Sequence, residues 1–201
     1  NLPVFSKTYS EDLNKFIKLF KRNFNKIYVL ILFCAVGATF FSKDILHFAV
    51  GNKYDSTLPI IPILVFSFAL YSYINLLKSS VFIPSSSIFA MSISYTIMLV
   101  FTVIPYFMLK GVAPEITVMS SSMFIGVLCS FISTILIIKH KLGFFVLEKT
   151  VVFLTILIVS LMFLPYSFFN IYLKVSIFSI YSLVLLFLLK KLKILKINDY
   201  E

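Results

Sequence analysis

The 201-residue chain has no tryptophan, 5 glycines, 2 cysteines and 2 histidines, and its charged residues make up only 13% of the total. Each shortage excludes something. Soluble domains carry about 25% charge, and half that share cannot clothe a water-facing surface of this size. A soluble enzyme, a disordered tail and a disulfide scaffold are therefore excluded. So few glycines leave little from which to build a phosphate-cradling loop, and no GxSxG, HExxH or DxxD pattern occurs. Cys34 and Cys129 lie in apolar runs without a Cys or His at metal-ligand spacing, so both read as buried free thiols and no metal site is expected. His47 and His140 stand 93 residues apart and, in the topology below, on opposite faces of the membrane. The acids Glu11, Asp12, Asp44, Asp55, Glu115, Glu148, Asp199 and Glu201 fall in loops or at the ends of apolar runs. No catalytic residue, no cofactor and no enzymatic activity is expected.

What is present is apolar: 60% of the residues are hydrophobic, 24 of them Phe. A bilayer core about 30 Å thick is crossed by about 20 apolar residues in a helix. Charge-free windows of that order run over Ile27–Ser42, Ser56–Leu77, Ile88–Leu109 and Ile116–Ile138, with Pro84-Ser85-Ser86-Ser87 as a turn before the third. Residues 150–189 carry one charge, Lys174, and are long enough for two crossings, so they are expected to fold as a hairpin turning near Pro165 to Asn170. The fold class is thus all-α, a polytopic membrane bundle of six transmembrane helices.

Net charge is +10, and 17 of the 18 basic residues are Lys, Arg22 being the exception. These positives sit between apolar runs rather than on one polar domain, so no nucleic-acid partner is expected. Placed on alternating sides of six spans, 14 of the 18 fall on one side and 4 on the other, a positive-inside bias that puts both ends of the chain in the cytoplasm of a multi-pass cell-membrane protein. Residues 1–26 form a cytoplasmic amphipathic basic segment, with Leu13, Phe16, Ile17, Phe20 and Phe24 on one helical face and Lys15, Lys18, Lys21, Arg22 and Lys26 opposite. Such a helix is expected to lie on the inner leaflet, opened by a Thr8–Glu11 capping box. Residues 27–138 hold four spans, with an outer interfacial helix near 44–51 that ends at Gly51. Residues 139–149 form a cytoplasmic basic loop and 190–201 a cytoplasmic basic tail. Asn1 opens onto Leu2-Pro3-Val4-Phe5 without an initiator Met or a signal peptide, and the chain reads as the later part of a longer protein.

Polar residues within or beside the spans are the remaining site candidates. Asn75 and Lys78 lie three residues apart on one face of the second span, and intramembrane polar groups of this kind mark substrate paths or bond neighbouring helices. Lys110 and Glu115 flank the connection between the third and fourth spans, where they are expected to pair with each other. Lys174 is expected to snorkel to the outer interface, Pro105 to kink the third span, and Ser120, Ser121 and Ser122 to mark close helix packing.

Several stretches resemble the second half of polysaccharide flippases, the O-antigen and teichoic-acid exporters of the MOP (MATE-like) superfamily. Leu2-Pro3-Val4-Phe5-Ser6-Lys7 resembles their cytoplasmic P-x-x-S-[RK] signature. Asp44-Ile45-Leu46 through Gly51, Lys53-Tyr54 and Ser56 resembles the loop after the family's ninth span, with altered spacing around Gly51. Leu109-Lys110-Gly111-Val112-Ala113 resembles the start of its twelfth span, with Pro114-Glu115 where small residues are usual. The resemblance aligns the six spans with the last six of a fourteen-helix transporter: four in the second lobe and an appended pair at 150–189. It implies flipping of a polyprenyl-linked oligosaccharide from inner to outer leaflet by alternating access, with Asn75 and Lys78 as cavity residues and Lys110 and Glu115 as weaker candidates. The partners implied are the lipid-linked oligosaccharide, membrane lipids and the upstream helices of the same chain. Rival readings are a MATE-type drug/cation antiporter, a membrane-embedded glycosyl- or acyltransferase with its site upstream, and a scaffold subunit.

Overall fold

The computed structural model describes residues 2–160 and 171–191. Among these the chain is all-helical, without strands: α1 (Leu2–Glu11), α2 (Leu13–Phe40), α3 (Ser42–Val50), a 3₁₀ turn (Gly51–Thr57), α4 (Ile61–Leu77) continued by a π-turn (Lys78–Phe82), α5 (Ile88–Leu109), α6 (Glu115–Leu142), α7 (Lys149–Ser160) and α8 (Ile171–Lys191). Four helices are long and apolar enough to cross a membrane: Leu13–Phe40, Ile61–Phe82, Ile88–Leu109 and Glu115–Leu142. Helix α7 has 12 residues, the apolar part of α8 spans Ile171–Phe187, and the expected turn at 165–170 lies outside the described residues.

The local signals account for most helix ends. Pro62 occupies the first turn of α4, where a missing N–H costs nothing. The Pro84–Ser87 turn places Ser86 at φ 52° and starts α5 at Ile88. Helix α3 stops at Gly51, whose φ of 69° and N–H bond to the His47 carbonyl make it the cap.

Three expectations near the start are corrected. The amphipathic segment and the first span are not separate elements, because α2 runs without interruption from Leu13 to Phe40. Its cap is Asp12, whose Oδ1 accepts from the N–H groups of Asn14 (2.8 Å) and Lys15 (3.1 Å). Thr8 lies inside α1, donating to the Val4 carbonyl. The phenylalanines of this segment's apolar face pack against protein, while Leu13 stays exposed. Phe16, Phe20 and Phe24 are buried, and Phe5 and Tyr9 of α1 and Phe144 after α6 stand against Phe16 and Phe20 at 5.2 to 6.1 Å between ring centroids.

The described chain falls into two compact units, one of the residues through Phe24 with Pro59–Val146, the other of Asn25–Leu58 with the residues from Leu147 onward. Thus the second half of α2 groups with α7 and α8, where the resemblance sets residues 27–138 together.

Unit one is organised by the α5–α6 seam. Ser122, Gly126, Ser130 and Thr134 repeat every four residues along α6 and are all buried. Small residues at this spacing let helix backbones approach closely, which is how membrane helices associate without a hydrophobic drive. The Ser130 hydroxyl donates to the Ser94 carbonyl (2.8 Å) and the Thr134 hydroxyl to Ser94 Oγ (3.1 Å). A Cβ on Gly126 would overlap Thr102 Oγ1 and stand 2.6 Å from the Met98 carbonyl. On the far side α5 is bare, with Leu99, Phe101, Ile104, Phe107 and Met108 exposed, as a lipid-facing surface requires. Tyr73 of α4 meets Phe131 of α6 at 5.9 Å.

Unit two turns on Phe178 of α8, stacked on Phe33 (4.9 Å) and Phe40 (6.3 Å), its ring lying where a side chain on Gly37 would project. The Thr155 hydroxyl donates to the Tyr28 hydroxyl at 3.3 Å. Cys34 and Cys129 are both free, but neither is buried as expected: Cys34 is exposed and Cys129 half-buried.

If the seam sets the helix spacing, Gly126→Ala will destabilise the protein by roughly 1–3 kcal/mol through overpacking, whereas Cys129→Ala will change stability much less. Thermal unfolding of the two variants in one detergent, side by side, checks this.

Candidate functional site

Asn75 and Lys78 occupy the last turn of α4 and the first residue of the π-turn, so i, i+3 spacing puts both on the face turned to α5. The π-turn is closed by the Ile83 N–H donating to the Lys78 carbonyl at 3.1 Å, one residue beyond the α-helical register. Wide turns of this kind concentrate at functional positions in helices.

The two side chains converge on Tyr95 of α5. The Tyr95 hydroxyl donates to Asn75 Oδ1 at 3.4 Å, the long end of hydrogen bonding. The Lys78 ammonium lies over the Tyr95 ring, 2.9 Å from its centroid. Lys78 is 2% exposed, and its Nζ has no hydrogen-bond partner among the described residues. A buried ammonium with three donors and only a ring face opposite retains capacity to donate to an acceptor that enters beside it. Sequence spacing gives the Asn75/Lys78 face. Tyr95 is reached only through the packing of α5, which Ser94 fixes against α6.

The weaker candidates are not paired. No ion pair joins Lys110 to Glu115. Instead Glu115 Oε1 accepts from the Tyr106 hydroxyl at 3.1 Å, and both Lys110 and Glu115 are exposed. Lys174 is corrected more strongly: it does not snorkel but is 2% exposed, its Nζ 2.5 Å from Asp44 Oδ2. This pair ties α8 to α3 within unit two. One turn beyond Asp44, His47 Nε2 lies 2.7 Å from Asp55 Oδ1. That contact between a histidine and an acid was absent from the sequence reading. Among the described residues no Ser, Thr or Cys side chain joins the pair, and no three metal-binding side chains gather. A groove of about 890 Å³ in unit two is lined mainly by Phe33, Phe41, Phe48, Val175 and Phe178, walls suited to hydrocarbon.

The two buried lysines yield opposite expectations. Asp44→Asn or Lys174→Met alone will cost roughly 3–5 kcal/mol by stranding a charge, and the double variant will recover most of it. Tyr95→Leu will cost about 2 kcal/mol with Lys78 present, but much less in a Lys78→Met background. Double-mutant cycles on detergent-solubilised protein read both. In comparisons with known proteins, the chain matches no family model, no curated protein and no solved structure.

Proposed function

We propose that the protein moves a polyprenyl-linked oligosaccharide from the inner to the outer leaflet of the cell membrane by alternating access, as the polysaccharide flippases it resembles do. The observation that carries this reading is Lys78, a buried ammonium without a hydrogen-bond partner among the described residues, in a helix long enough to cross a bilayer. Charges at such depth are costly and mark the path of a charged substrate. The substrate joins its glycan to its lipid through phosphate, and an ammonium with free donors suits that anion. Asn75 and the Tyr95 hydroxyl add groups able to bond sugar hydroxyls beside it. The bare apolar face of α5 keeps this polar cluster next to hydrocarbon, where the polyprenyl tail stays while the headgroup crosses.

The orientation follows the charge count, with Lys78 toward the cytoplasmic side, so Asn75, Lys78 and Tyr95 form the inward-facing part of the route. Alternating access then requires unit one to expose this cluster to either face in turn.

The test uses the full-length gene. Upon depletion, lipid-linked oligosaccharide should accumulate on the inner leaflet, protected from a glycosidase that cannot cross the membrane. Wild-type protein should restore exposure, Lys78→Arg should restore part of it, and Lys78→Met at equal abundance should not. Normal exposure with altered resistance to cationic drugs would instead indicate the antiporter.

A further inference from the structure

The basic residues at one end of unit one form a surface that transport of a glycan does not use. Gly143, at φ 72°, caps α6 and donates its N–H to the Lys139 carbonyl. The left-handed turn sends the next two rings to opposite sides. Phe144 is buried at 5.9 Å from Phe20 of α2, whereas Phe145 is 56% exposed. Each ring carries a lysine: Lys21 Nζ lies 5.4 Å from the Phe144 centroid and Lys139 Nζ 4.2 Å from that of Phe145. Lys141, also exposed, donates to Ser87 Oγ at 2.6 Å. The Phe20–Phe144 contact thus brings the start of α2 to the end of α6, with Lys21 over the buried ring, Lys139 over the exposed one and Lys141 on the neighbouring Ser87.

Among the described residues, none of Lys18, Lys21, Lys139 and Lys141 has an acidic side chain within 4.0 Å. Lys139 and Lys141 suit the carbonyl end of α6. Lysines around an interfacial aromatic, at the end of helices that can span a bilayer, match the phosphate of an anionic lipid headgroup with the ring at the boundary of its acyl chains.

We infer that Lys21, Lys139 and Lys141, with Phe145, form a binding site for the phosphate headgroup of an anionic phospholipid of the leaflet that this end of unit one faces. This site is separate from the Lys78 cluster and stands whether or not the transport reading does.

The full-length protein in mild detergent is exposed to mixed micelles of equal phosphatidylglycerol and phosphatidylcholine, and the lipid that copurifies is quantified. Wild type should retain phosphatidylglycerol over phosphatidylcholine by at least about tenfold. K21Q/K139Q/K141Q should bring that ratio close to one, K21R/K139R/K141R should keep it, and K43Q/K53Q should leave it unchanged. On the wild type alone, raising salt to about 1 M should strip the lipid, which tests the site even if the Gln variant fails to fold. A ratio close to one for wild type, equal loss in K43Q/K53Q, retention that salt does not touch, or displacement by soluble glycerol phosphate at equal phosphate concentration would each overturn the assignment.

Discussion

The close approach of α5 to α6 is the constraint from which unit one follows. No side chain fits between Gly126 and the Met98 carbonyl, so the helices meet almost backbone to backbone, and Ser130 and Thr134 bond Ser94 across the gap. With Ser94 held, helical geometry turns the next residue, Tyr95, about 100° away from α6 and toward α4. The aromatic face over Lys78 is therefore a consequence of a seam that Lys78 does not touch. The same contact leaves the opposite face of α5 to hydrocarbon, which in a bilayer is its natural solvent.

Among the described residues two ammonium groups are buried, and they are treated differently. Lys174 is neutralised by a carboxylate at 2.5 Å, a contact that joins two elements 130 residues apart and leaves that ammonium a strut. Lys78 is offered only the quadrupole of a ring, which offsets part of the desolvation of its charge but fills none of its hydrogen-bonding capacity. One arrangement is complete without a ligand and the other gains from one. That contrast separates packing from recognition more sharply than exposure does, since both side chains are 2% exposed.

Much of the helical framework was legible in the residues. Helix α5 spans Ile88–Leu109 as its charge-free window and the preceding Pro-Ser turn predict, and Gly51 ends α3 because it alone there takes a positive φ freely. The start of α2 is not legible from charge for an identifiable reason. Charges bound an apolar window, but helices end at caps, prolines and glycines, and from Leu13 to Val36 α2 has no Pro or Gly. The Phe16–Phe20–Phe24 face showed that something would cover it, and periodicity cannot say whether that is lipid or protein. Asn75 and Lys78 were visible as a pair through helical spacing. Tyr95 and the Asp44–Lys174 pair were not, since their positions depend on the rotation and depth at which separate helices pack, which no local pattern encodes.

The π-turn after Leu77 bears on how such a chain could have changed over time. Its wide hydrogen bond from Ile83 to Lys78, followed by another from Ser87 to Phe82 in the next turn, places one more residue in the turn than an α-helix holds. A helix that accepts an additional residue in this way confines the resulting rotation to a single turn, and neighbours on either side keep their own register. Insertions and deletions of one residue are therefore tolerable between Lys78 and Ser87, and ruinous along the Ser122–Thr134 seam, where every fourth position must stay small. Length variation in this stretch would reorient Lys78 relative to Tyr95 without disturbing the α5–α6 pair, giving lineages a means of retuning the polar cluster while the scaffold around it stays fixed.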